Sequence, residues 1–552
     1  MSRLLAGACR HPLPAPDPRS EMLGWGVPDA RCEKVHTPLA VRALVLSESG
    51  PASRPIVLVV HELCMASEAV RTAVLDRLQA ACPEAGFSEH TLLIGANHTH
   101  AGPGGYTHDL FYTLGNPGFD FVWFEALVST TVTAIRNAWD RRAPAELHIG
   151  SGSFSPDDPL AVNRSLDAYR QNQTRLPPVV LDKMVLSVRH TDGTPLACVD
   201  WFGVHGTCVH ADQKAVHPDN KGMAARIFEG MAADALGAPD FVALFFQGAA
   251  GDISPNTRFD RARGRSVGHL DSDFAHAEWH GSVQADVART VWNAPTEAIT
   301  GPLDGAMLYL DFDGLPVDPD LADGRPHQTA HGLVGVAFLQ GTAEGPGPLR
   351  PLRALGSMAA RLRAALPLQA GQGGKLPFSE VGRGRRGVAF GFLRMSPPAV
   401  PGLDPTVKVV SRLTESGGIG DAPWIANRQP VQILRIGSVA IVAVAGEPTT
   451  HAGRLLAHTA TRALHGAGIE HVVICGYANT FSGYLTTAAE YRMQLYEGGH
   501  TLFGPWTLAG WRTGVRRIGA RLLLPAGERP EDVGERPEVV PPEVLAKRAF
   551  PC

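Results

Sequence analysis

The 552 residues are 44% hydrophobic and 19% charged, a balance that excludes an intrinsically disordered chain. A net charge of −4, with no basic stripe and no zinc-finger or RNP pattern, excludes nucleic acid as a partner. A single core seldom grows past about 250–300 residues, so at least two structural units or one unusually large sheet domain are expected.

In chain order, the opening MSRLLAGACR has an apolar part of only about five residues, short of the roughly 7–15 of a secretory signal. No apolar run reaches the ~18 residues of a membrane-spanning helix, and a cytoplasmic protein is expected. Ile56–Val60 reads as a buried strand, Ser67–Cys82 as a helix and Thr91–Gly95 as a second buried strand. Phe121–Ala138 has the spacing of an amphipathic helix, and Leu196–Phe202 and Phe241–Phe246 are further strands. This alternation predicts an α/β fold around a large mixed, mostly parallel sheet with helices on both faces. From about 316 to 430 the chain is rich in Gly and Pro and reads as an insertion of long loops and short strands. Regular structure returns with a strand pair over Gln432–Ala445, turning at Gly437, then a helix over Thr449–Gly466 and a strand over His471–Cys475. The Pro- and Glu-rich tail, 521–552, is expected to be mobile. Eight scattered cysteines, with no CxxC pair, read as free thiols, several of them in the core.

Five segments that follow strands carry candidate chemistry, at the strand ends where open α/β sheets place their sites. NHTHAGPGGY, Asn97–Tyr106, puts His98 and His100 two residues apart, so on a strand both imidazoles face one side and can serve a metal. WFGVHGT ends an apolar strand on His205, and FFQGAAGDISPN runs from a strand into Asp252 and Ser254, with Pro255 fixing the turn. VAVAGEPTTHAGR carries Glu447, and the stretch Gly483–Thr507 carries Tyr484, Tyr491 and Tyr496, phenols able to bind zinc or to donate to an oxyanion. Each has a plain structural alternative, from hydrogen-bonded histidines to a helix-start acid and packed aromatics. Together, His, His, Glu and Tyr converging at one sheet edge give an oxygen–nitrogen sphere suited to Zn²⁺. His61-Glu62 is not a zincin motif, because Met65 stands where HExxH needs histidine.

These segments resemble the neutral ceramidase family. NHTHAGPGGY is similar to that family's HTHxGPxGY stretch. NRSLDAY, WFGVHGT, DNKG, QGAAGDISPN, FLQGTAEGPG, QILRIG, AGEPTTHAGR and YLTTAAEYRMQLYEGGHTLFGPWT follow in the family's order over roughly residues 20–515. The resemblance implies that His98, His205, Glu447 and Tyr484 hold Zn²⁺, and that Ser254 is the residue treated as nucleophile. It implies that His100, Arg164 and Tyr496 line the reacting carbonyl. The expected activity is hydrolysis of the N-acyl amide of ceramide, or of a related N-acyl lipid, by a catalytic domain over 1–520. Relatives begin with a signal peptide and end in an immunoglobulin-like domain. Neither is expected here, and the stretch Pro348–Pro430 departs from the family pattern. The alternatives are a zinc esterase or amidase on another substrate, a two-metal phosphatase drawing on Asp219 or Asp252, and a non-catalytic lipid-binding homologue.

Overall fold

The computed structural model describes residues 4–27, 29–50, 54–116, 118–294, 296–347, 371–390, 393–395 and 405–550. The large sheet is built from β1 (Leu4–Pro12), β2 (Ala40–Glu48), β3 (Ile56–His61), β4 (Leu92–Ala96), β5 (Ala143–Ser153), β6 (Asp182–His190), β7 (Pro195–Phe202) and β8 (Val242–Gln247). Their order across the sheet is β8-β7-β6-β5-β1-β2-β3-β4.

The sheet is mixed, as expected, but it is not mostly parallel. Only β3–β4 and β7–β8 run parallel, and the strands between them pair antiparallel. The turn Thr191–Thr194, closed by His190 N–H donating to the Thr194 carbonyl at 2.9 Å, joins β6 to β7 as a hairpin and forces that pairing. The four strands that stand out as continuous apolar runs are the two parallel pairs. The antiparallel strands between them are missing from the sequence reading; β5 is half-exposed, and β6 interrupts its apolar residues with Lys183 and Ser187.

Helices do not cover both faces of this sheet, and strand alternation shows why. Leu44 and Leu46 of β2, Leu186 and Val188 of β6 and Val199 and Trp201 of β7 share one apolar layer. That layer continues into a second sheet: β9 (Leu303–Asp311), β10 (Arg428–Ile436), β11 (Val439–Ala443) and β12 (His471–Cys475), through Leu434, Ile441 and Cys475. The opposite face carries Val41, Ala43 and Val45 under α1 (Glu68–Ala81) and α2 (Phe121–Asp140). Further along, Val185, Cys198 and Ala243 lie under α3 (Asp219–Leu236) and α4 (Asp273–Asn293). Two sheets therefore pack face to face with helices outside, α5 (Thr450–Ala463) and α6 (Thr507–Leu522) covering the second sheet. A residue period of two with both faces apolar marks a doubly covered strand but not whether helix or sheet covers it.

Inside this arrangement Lys183 Nζ lies 2.6 Å from Asp200 Oδ2, with both side chains fully buried. Seven cysteines are free, six of them buried; Cys552 lies outside the described residues. The Gly/Pro-rich region contains a four-stranded sheet over Leu333–Gly335, Pro377–Gly382, Arg385–Phe390 and Leu393–Met395. Much of the expected insertion, 348–370 and 396–404, lies outside the described residues. The tail expected to be mobile is packed down instead. Tyr309 N–H donates to the Val533 carbonyl at 2.7 Å, and Val540 and Leu545 are buried beside Phe119. The Arg548 guanidinium donates to the carbonyls of Gly418, Ile419 and His108. Apolar residues spaced among the prolines supply the anchors that composition alone conceals. Among the described residues no helix is long and apolar enough to cross a membrane.

Candidate active site

The C-terminal ends of β4, β7, β8, β11 and β12 meet, and backbone bonds knit them together. Thr99 bridges Gly206, His205 N–H donates to the Ile253 carbonyl at 3.0 Å, and Gly251 N–H donates to the Pro448 carbonyl at 2.9 Å. Glu447 and Tyr484 are paired in a short parallel ladder.

His98 and His100 do face one site, though not by strand alternation. β4 ends at Ala96, and Asn97 Oδ1 accepts the Thr99 N–H at 3.1 Å in a tight turn. His98 takes the left-handed conformation, φ 66°. The turn leaves His100 Nε2 3.0 Å from His98 Nε2. His98 Nδ1 lies 2.6 Å from the Cys64 carbonyl, and His205 Nδ1 lies 2.7 Å from the Ala250 carbonyl. Carbonyls only accept, so both Nδ1 atoms carry the proton and both Nε2 lone pairs point inward. Glu447 Oε2 is 3.2 Å from His205 Nε2 and 3.6 Å from His98 Nε2.

The electrostatics of this cluster suit a cation. Burial drives His98 down to about 4, against the pull of Glu447. Burial, helped by the Arg164 charge, drives His205 down to about 3. His100 is also held well below its ordinary value by burial and by its two histidine neighbours. Burial raises Glu447, with His98 and Arg164 opposing. His205 Nε2 is fully enclosed and has no hydrogen-bond partner. Two neutral imidazoles with inward lone pairs, one of them unsatisfied, beside a carboxylate are a donor set that a divalent metal completes. The ligand atoms of His98, His205 and Glu447 all lie within 4.8 Å of one another.

Around this cluster, the Tyr484 hydroxyl accepts from Arg164 Nη2 at 3.0 Å, and the Tyr484 backbone pairs with Glu447. The Tyr484 and Tyr496 rings meet edge to face at 5.6 Å, and Phe338 stacks on Tyr496 at 5.0 Å. Arg164 is fixed by the Gly251 carbonyl at 2.9 Å, Glu497 at 3.2 Å and Glu344 at 3.4 Å. Ser254, paired with Val162 in a two-residue ladder, is buried and accepts the Asn256 N–H at 2.9 Å. Glu344 lies beside the Ser254 and Thr207 hydroxyls. Burial alone would raise its carboxyl, but the Arg164 charge above all holds it below the usual range. His98, His100, Arg164, His205, Glu447, Tyr484 and Tyr496 thus come to one place, with Ser254 in the adjoining ladder, whereas the Tyr491 hydroxyl bonds Gln372 away from the cluster. Glu344, Glu497 and Tyr477, which donates to Glu447 Oε2 at 3.1 Å, have no assigned role in the sequence reading. The FLQGTAEGPG and YEGGHTLFGPWT stretches already contain two of them.

Asp252 and Asp219 are committed elsewhere. Asp252 takes the Thr450 N–H at 2.7 Å, its hydroxyl at 2.8 Å and Asn163 Nδ2 at 2.7 Å. Asp219 accepts the N–H groups of Cys208, Val209 and Asn220. These bonds disfavour a two-metal phosphatase reading. His61 and Glu62 hold Thr131 and the Arg42 and Arg226 guanidiniums, also outside the site.

Polar and titratable groups gathered at strand ends around a metal-competent cluster have the arrangement of an α/β enzyme site. The chain belongs to the neutral/alkaline non-lysosomal ceramidase family, whose N-terminal family model matches residues 7–358 and 412–513. The unmatched gap falls within the stretch that departs from the family pattern. The chain is 32% identical over 500 residues to a neutral ceramidase of Pseudomonas aeruginosa, covering 89% of this chain and 68% of that one. It is 30% identical over 532 residues to a neutral ceramidase of Mycobacterium tuberculosis, covering 94% and 76%. A solved neutral ceramidase from Pseudomonas aeruginosa superposes with a TM-score of 0.76 at 27% identity, covering 98% of this chain and 77% of that one. A ceramidase complexed with C2 gives 0.79 at 29%, covering 98% and 78%.

Proposed function

We propose that the chain hydrolyses the N-acyl amide bond of ceramide, releasing a sphingoid base and a fatty acid, with Zn²⁺ held by His98, His205, Glu447 and Tyr484. The unsatisfied His205 Nε2 facing Glu447 and His98 is the observation that carries the metal reading, and family membership carries the substrate reading. Zinc at such a site supplies Lewis acidity toward an amide carbonyl. The chain's own groups supply the rest. Arg164 and Tyr496 donate to the developing oxyanion, a donor of that kind being worth roughly 2.7–4 kcal/mol. His100 is neutral and stands at the edge of the cluster, where it carries a proton to the leaving amine. Ser254 brings its hydroxyl to the carbonyl.

The test is elemental analysis of protein purified without chelator, together with hydrolysis of an N-acylsphingosine and a simple ester as control. One zinc per chain and selective amide cleavage are expected. Full activity in metal-free protein would sink the zinc reading, and hydrolysis of the ester alone would sink the ceramide reading.

A further inference from the structure

We propose that Glu344 positions the Ser254 hydroxyl, its carboxylate accepting the O–H hydrogen so that an oxygen lone pair is left facing the substrate carbonyl. The inference rests on the reading of Ser254 as the reacting hydroxyl.

The loop that carries Glu344 is built to hold it. Thr342 N–H donates to the Gly345 carbonyl at 3.0 Å, and the Thr342 hydroxyl oxygen accepts the N–H of Glu344 at 3.3 Å and of Gly345 at 3.2 Å. Gly341 and Pro346 close the loop as a bridge, and Gly341 has φ 64°, where a Cβ would meet the Gly345 carbonyl. The Glu344 side chain is thereby delivered inward and is 1% exposed. One carboxylate oxygen faces Arg164 Nη1 at 3.4 Å. The other, Oε2, is buried and has no geometrically formed hydrogen bond. Leaving a buried carboxylate oxygen unpaired is costly. Its hydroxyl neighbours are Ser254 and Thr207, and the Thr207 hydroxyl is equally unpartnered. Ser254 Oγ already accepts the Asn256 N–H, so its own hydrogen is what it has left to give. The Ser254 hydrogen, turned toward Oε2, satisfies it. Arg164, ion-paired to the same carboxylate, keeps it an anionic acceptor.

A double-mutant cycle tests this with kcat and KM measured separately. Glu344→Met removes the acceptor at similar volume, while Glu344→Gln keeps a neutral one. We expect Glu344→Met to lower kcat about tenfold or more with KM little changed, and Glu344→Gln to recover part of the loss. In a Ser254→Ala background, Glu344→Met should cause no further loss. The same factor in both backgrounds would overturn the proposal and place the effect on Arg164 or the fold, with Ser254 still standing. An unchanged kcat in Glu344→Met would also overturn it. Wild-type turnover in Ser254→Ala would instead remove the serine reading itself, and this inference with it. Should Glu344→Met fail to fold, by thermal unfolding and metal content, Glu344→Gln carries the same cycle, and equal losses in the two backgrounds again overturn the proposal.

Discussion

Glu21 sits 4% exposed beside the site, its backbone N–H donating to Asn116 Oδ1 at 2.8 Å and its carboxylate packed against Gly115. Burial pushes its carboxyl up from an ordinary 4.5 to about 7, only partly offset by the Arg31 charge. The gap between 4.5 and about 7, at 1.36 kcal/mol per pH unit, is worth roughly 3 kcal/mol. The folded-state value lies above the unfolded one, so for this acid the ionised form is the disfavoured one in the fold. Below about pH 4.5 Glu21 is protonated in both states and costs nothing. As pH rises toward 7 the unfolded chain releases its proton first, and stability falls until both states are ionised. Glu21→Gln is neutral throughout and escapes this loss. Urea unfolding of both proteins from pH 4.5 to 8 should show a variant-minus-wild-type difference that climbs by roughly 3 kcal/mol across that window and then levels off. A difference that stays flat with pH would refute the argument that Glu21 is buried without adequate compensation.

His205→Ala should lose both bound metal and turnover, read by elemental analysis and activity; a variant that keeps its metal would remove His205 from the ligand set. Lys183→Met removes the hydrogen-bonded partner of the buried Asp200 carboxylate, leaving it only the Lys221 charge, and should cost up to about 3–5 kcal/mol in urea unfolding, with Asp200→Asn added on top restoring much of it. A near-neutral single variant would mean that the pair is not closed off from water. In a series of N-acylsphingosines, kcat/KM should rise with acyl length, since each buried CH₂ is worth about 0.8 kcal/mol, until the pocket is full. A flat or falling series would point to a small soluble amide.

Residues whose placement follows from a local pattern were legible in the sequence. His205, Ser254 and Glu447 each follow a strand recognisable by its apolar run, and the structure brings their segments together. His98 and His100 converge through an Asn97 turn and a left-handed His98 rather than through strand alternation, so the sequence led to the right pairing by the wrong geometry. Glu344 and Tyr477 were not legible as site residues, because their meaning lies in contacts with Arg164 and Glu447 from distant segments. The sheet was misjudged for a related reason. Apolar runs reveal the parallel strands that are buried on both sides, while half-exposed β5 and polar-interrupted β6 carry weaker signals yet lie inside the sheet. Tail packing depends on single apolar side chains such as Val540 and Leu545, which composition averages away.

The proposed ligand set draws His98 and His205 from one sheet and Glu447 and Tyr484 from segments that follow the other. Closing a chain over so many intervening residues carries a large entropic cost, repaid only once the two sheets have docked. The cluster is therefore complete only once the two sheets have docked. His98 and His205 leave the ribosome long before Glu447 and Tyr484, so the cluster cannot close on a growing chain until the second sheet arrives.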